Sequence, residues 1–132
     1  MKIIDIENLH GISPMDVKSL KSLGINTNLE LLKFTVNSQK QQELALKIGV
    51  NHKNILKWIV LADLSRLESV GSEYCGLILH SGILSTAQLS QITASQLHRQ
   101  VLRLQVATLR RKDLCPSLSL VQTWIKEAKI MS

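Results

Sequence analysis

Leu9-His10-Gly11-Ile12-Ser13 and Leu67-Glu68-Ser69-Val70-Gly71 are two short hairpins of apolar and small residues, and they stand 58 positions apart. The same offset places Leu20 on Ile78, Gly24 on Gly82, Ile25 on Ile83 and Leu31 on Leu89, so one skeleton of apolar and glycine positions runs twice through the chain. The helix-start signals recur with it. Thr27 with Glu30, and Ser85 with Gln88, have capping-box spacing, in which a hydroxyl takes the N3 amide proton and the longer side chain reaches back toward the cap. Allowing eight extra residues in the second copy brings Ile55, Trp58, Ile59 and Ala62 onto Val121, Trp124, Ile125 and Ala128. Their i, i+3, i+4, i+7 spacing is one face of a helix. The chain's two tryptophans therefore occupy the same position in both copies and read as buried anchors rather than stacking platforms.

Working outward, the first copy (1–64) predicts helices over 14–23, 28–35, 39–48 and 52–64, with Ser13-Pro14 as cap and first helical residue and with Gly24 and Gly49 as stops. The second copy (65–132) predicts helices over 72–81, 86–92, 94–107 and 118–130, with Thr93 and Gln96 as a further capping box and Pro116 dividing the last two. No Ser/Gly linker separates the copies, so residues 1–132 are expected to form a single domain. Apolar residues make up 45% of the 132 residues and aromatics only 3%, a core of Leu, Ile, Val and Ala that favours helices over sheets. The longest nearly apolar stretch, Ile55 to Leu64, is broken by Lys57 and Asp63 and falls well short of the roughly 20 residues a bilayer span requires. The N-terminal residues lack a secretory-signal pattern, so the cytoplasm, or the plastid stroma for an organellar chain, is the expected compartment.

The hairpin segments Ile6-x-x-Leu9-x-Gly11-Ile12-Ser13-Pro14 and Leu64-x-x-Leu67-x-Ser69-Val70-Gly71 resemble the hxxhxGhG pattern of helix-hairpin-helix motifs. The tandem hairpins, the Gly-Ile pairs, the Trp-bearing closing helices and Pro116-Ser117-Leu118 together resemble an uncharacterised bacterial family, common in cyanobacteria and known only as a domain of unknown function. That resemblance covers nearly the whole chain. It implies an all-α fold of about eight helices, with two tandem helix-hairpin-helix repeats packed as one pseudo-symmetric domain. It implies little about function, since such modules serve as DNA-backbone clamps and as protein docking units. The family's distribution makes a partner in the photosynthetic machinery conceivable, although no residue points there.

In DNA-binding hairpins, small residues let backbone amides approach a phosphate at a helix N-terminus. Here each hairpin keeps one glycine of two: Ser13 replaces the second glycine in the first copy, and Ser69 the first glycine in the second, leaving Gly11 and Gly71. Asp16 and Glu73 fall in the first turns of the following helices, where their charges compete with a phosphate. Lys18 and Lys21 flank the first hairpin, whereas no Lys or Arg lies between Glu68 and His98. The net charge of +6 and pI near 9.6 suggest an acidic partner, while charge alone supports solubility and non-specific attraction as readily, and Arg99, Arg103, Arg110, Arg111 and Lys112 form an acid-free basic run. Apolar residues are interleaved with those arginines, as on the solvated face of an ordinary amphipathic helix.

No phosphate loop, HExxH helix or nucleophile elbow is present, and the four histidines are scattered. Cys75 and Cys115 have neither CxxC spacing nor a histidine cluster, so no metal, cofactor or enzymatic activity is expected. Two readings follow. The first is a protein-docking adaptor for a partner with an acidic surface. The alternative is a sequence-independent DNA- or RNA-binding module that contacts phosphates through Gly11, Ser13, Lys18, Lys21, Ser69, Gly71 and the basic run.

Overall fold

A computed structural model describes residues 1–109 and 115–131. Among them the chain is all-helical. A 3-10 turn over Ile6–Asn8 is followed by eight α-helices: α1 (Pro14–Ser22), α2 (Asn28–Phe34), α3 (Ser38–Ile48), α4 (His52–Ser65), α5 (Gly71–His80), α6 (Thr86–Leu89), α7 (Ala94–Leu109) and α8 (Leu118–Met131). The 3-10 turn, capped by the Asp5 carboxylate accepting the Glu7 amide, was not anticipated as an element. It lies beside an isolated bridge between Asp5 and Thr27 that ties the N-terminal segment to the start of α2.

Local chemistry sets the helix starts. Ser13 accepts the Asp16 amide at 3.2 Å, with Pro14 following at the first helical position. The Thr27 and Ser85 hydroxyls accept the Glu30 and Gln88 amides at 3.2 and 3.0 Å. In both boxes the longer side chain reaches one residue further back than expected. Glu30 accepts from the Asn26 amide at 3.2 Å and Gln88 from the Leu84 amide at 2.9 Å. Helix α6 is shorter than the predicted 86–92. Ser90 turns its hydroxyl back onto the Ala87 carbonyl, and Thr93 must leave the helical path so that its hydroxyl can accept the Gln96 amide and start α7.

The core runs along α4 and α8. Helices α2, α3 and α5 pack on α4, and α6 and α7 pack on α8. Positions matched at the 58-residue offset are buried in both halves, as Leu20 and Ile78, Ile25 and Ile83, and Leu31 and Leu89 show. So are Ile55, Trp58 and Ala62 with Val121, Trp124 and Ala128. Both tryptophans are core residues. Each contributes on the order of 3–5 kcal/mol by the usual loss on truncation to alanine. Polar pairs tie the halves across α4. Buried Asn28 donates to Ser65 Oγ at 3.0 Å and accepts the Ile4 amide at 2.9 Å. The Asp63 carboxylate accepts the Thr86 amide at 2.8 Å while ion-paired to Arg66. No helix among the described residues is long and apolar enough to cross a membrane.

Candidate functional site

The first hairpin, residues 9–13, leads into α1 with its small residues at the surface. Gly11 has φ +114°, a conformation that strains any L-residue, and a Cβ there would stand 3.2 Å from the Leu61 side chain. The backbone therefore requires glycine, and a methyl there would also press the Leu61 side chain of α4 aside by a few tenths of an ångström. The Lys57 ammonium lies within 3.9 Å of that same point, a cation beside the hairpin that sequence spacing does not disclose. Ser13 is committed to its cap, and its hydroxyl also donates to the Asp16 carboxylate at 2.9 Å. An anion of the protein's own thus sits at the start of α1. Lys18 is exposed and lies on the same helix. Lys21 is not free: its ammonium pairs with Asp5 at 3.3 Å and Glu7 at 3.4 Å. The hydrogen bond that Lys21 donates to Asp5 raises the Lys21 pKa above the usual lysine value, and the Glu7 amide, followed by Lys21, lowers that of Asp5.

The second hairpin, residues 67–71, is clamped by α8. The Glu127 carboxylate accepts the Ser69 amide at 2.9 Å and the Ser69 hydroxyl at 2.7 Å. Trp124 Nε1 donates to the Ser69 carbonyl at 3.1 Å. All three hydrogen-bonding groups of Ser69 are thereby engaged by one helix. Gly71 takes φ +51° at the first position of α5, and the Lys2 amine lies 3.0 Å from where its Cβ would be, donating to the Glu68 carbonyl at 3.4 Å. At the offsets that relate the two copies, Ser69 stands where Gly11 does and Glu127 where Leu61 does. The apolar contact of a glycine with a leucine in one half is thus a hydroxyl and amide bonded to a carboxylate in the other.

Arg99 and Arg103 are one turn apart on the exposed face of α7, opposite buried Leu97 and Val101. Arg110, Arg111 and Lys112 lie outside the described residues. Helix α1 packs on the 3-10 turn and α3, whereas α7 packs on α8 and α5, so the α1 lysines and the α7 arginines belong to different packing units.

Sequence reasoning overlooked a groove of 360 Å³ between α1, α2 and α3, lined by Leu23, Lys33, Phe34, Lys40, Glu43, Leu44 and Lys47. Phe34, the chain's single phenylalanine, is 46% exposed there, and Leu23 is 36% exposed. The signal was present in α3, where Lys40, Leu44 and Lys47 share one helical face, but the groove needs three helices to exist.

Among the described residues no group of His, Cys, Asp and Glu is arranged to hold a metal ion. Cys75 is buried, and desolvation pushes its thiol up to about 11. Cys115 lies 3.9 Å from His98 Nε2, but burial raises its pKa as well, which disfavours the thiolate. No curated protein and no solved structure gives a significant match to the chain. The family model described as Domain of unknown function (DUF4332) matches residues 10–131, nearly the full length, and the chain belongs to that family.

Proposed function

We propose that this chain is a non-catalytic, tandem helix-hairpin-helix module that acts as a protein-docking adaptor for a partner with an acidic surface. One observation carries the choice over nucleic acid: the Glu127 carboxylate already holds the Ser69 amide and hydroxyl, where a phosphate would need them. A carboxylate fixed at that hairpin repels phosphate and removes a donor, so a two-hairpin grip on one duplex is lost. Asp16 at the first hairpin and the ion-paired state of Lys21 act in the same direction. The repeat reading draws support from matched buried positions and from hairpins preceding α1 and α5 at equivalent places. A cytoplasmic or stromal setting fits two unpaired cysteines. A partner in the photosynthetic machinery remains the suggestion of family distribution alone.

The alternative, a phosphate contact through the first hairpin alone, is favoured by the Lys57 ammonium beside Gly11, with Lys18 on the following helix. Titrating the protein against a short fluorescent duplex of arbitrary sequence, from low to physiological salt, separates the readings. Docking predicts no binding at physiological salt. Micromolar binding with a steep log-log salt slope, lost in Lys57→Glu and kept in Arg99→Glu/Arg103→Glu, establishes the phosphate reading instead.

A further inference from the structure

We propose that the groove between α1, α2 and α3 receives an acidic amphipathic helix of the protein partner, an inference that rests on the docking reading and gives it a location. The groove floor is apolar, with buried Leu44 beneath half-exposed Phe34 and Leu23. Its rim is cationic. Lys33 projects from α2, while Lys40 and Lys47 come from α3, against a single anion, Glu43, whose carboxylate accepts a hydrogen bond from Gln39 at 3.2 Å. Among the described residues none of the three ammonium groups forms an ion pair, in contrast to Lys21 one helix away. Three solvated cations around an apolar floor complement a ligand that is apolar in the middle and acidic at its edges.

The backbone of the surface selects the ligand's conformation. A β-strand ligand binds by adding to a sheet edge, and the described residues contain no strand to offer one, while a polyproline ligand docks on a groove lined by several aromatic rings, and Phe34 is the one aromatic residue lining this groove. A helix satisfies its own amides and can lie on an apolar floor, presenting anchors at i, i+3 or i+4, and i+7. At 360 Å³ the groove is near the lower end of ligand pockets, roughly 300–1,000 Å³, a size suited to the side chains of one helical face. The rest of the aromatic inventory supports the assignment, because both tryptophans are buried and Phe34 alone is half exposed with an apolar neighbour, Val36, also at the surface.

The test is selection of a phage-displayed library of random peptides of about 16 residues on the immobilised full chain, followed by anisotropy with the enriched peptides. All substituted side chains are partly or fully exposed, and thermal melts verify that each variant is folded. Enriched peptides should carry Leu or Phe at helical spacing flanked by Asp and Glu. Their binding should weaken tenfold or more in Phe34→Ala and in Lys40→Glu/Lys47→Glu, and stay unchanged in Arg99→Glu/Arg103→Glu. Peptides insensitive to the groove variants but lost with the α7 arginines overturn the groove and leave docking standing. No enrichment, or enrichment of peptides without acidic residues, overturns the groove assignment. Duplex binding lost in Lys40→Glu/Lys47→Glu assigns those lysines to phosphate and overturns both readings.

Discussion

Glu127→Ala isolates the contact on which the functional choice turns. The substitution removes two hydrogen bonds to a carboxylate, from the Ser69 amide at 2.9 Å and hydroxyl at 2.7 Å. A charged hydrogen bond contributes about 1.5–3 kcal/mol, and two would reach about twice that if both partners were sealed from water. Ser69 and Glu127 are only half-buried, so water replaces part of the loss and the net destabilisation should be about 2 kcal/mol. For a chain of this size that corresponds to a fall in melting temperature of about 8 °C. Glu127→Gln keeps an acceptor for the amide and should lose about half as much, while Lys126→Ala, an exposed change next to it, should stay within about 0.5 kcal/mol. Circular-dichroism melts of the three variants read these values directly. A Glu127→Ala protein that melts with the wild type would mean that α8 does not clamp the hairpin. The same sample also bears on function: freeing the Ser69 amide should not create duplex binding, and a steep salt-dependent affinity gained by this variant would show a masked phosphate site.

Five further outcomes are expected. Gly71→Ala should destabilise by about 1–2 kcal/mol, because a left-handed φ of +51° opposes any Cβ while the flexible Lys2 tip can move aside. Gly76→Ala, in the same helix with no atom within 4 Å of the new methyl, should stabilise by about 0.5–1 kcal/mol, and matched denaturant titrations should show opposite signs. Native protein should react with one equivalent of a thiol reagent at pH 8, at partly exposed Cys115, and with two after unfolding. A buried Cys75 with its pKa raised to about 11 from 9.0 favours the protonated form in the folded state, so its contribution is intact below pH 9 and is lost as pH rises through 11. Flat stability across that window would contradict the burial of Cys75. Trp124→Phe should cost about 1–2 kcal/mol through the lost Nε1 bond to the Ser69 carbonyl, as read by chemical denaturation.

The helices were legible because their determinants are local. Ser13-Pro14, Thr27 with Glu30, Ser85 with Gln88 and Thr93 with Gln96 each lie within four residues of the turn they set, and all four hydroxyls accept the amides that the spacing predicts. The tryptophan-bearing faces of α4 and α8 were legible for the same reason: helical period announces which side is buried. Partner choice is not local. Nothing in the spacing of Lys21 states that it turns back to Asp5 and Glu7 rather than toward a ligand, since that depends on where the 3-10 turn places two carboxylates.

The same limit explains the hairpins. Their sequence promises backbone amides near solvent, but whether an amide is available depends on the helix that closes each unit. In the first half Leu61 presses an apolar side chain against Gly11, and in the second Glu127 supplies a carboxylate to Ser69. Two copies that look alike along the chain thereby become chemically distinct through one matched pair of positions on α4 and α8. If the docking reading holds, the division of labour follows from that pair. A hairpin with its amide and hydroxyl bonded internally, and its carbonyl held by Trp124, serves as a joint between α4 and α5. Recognition then falls to surfaces whose charges remain solvated, and the lysine-rimmed groove around Phe34 is where solvated charge and exposed apolar area coincide.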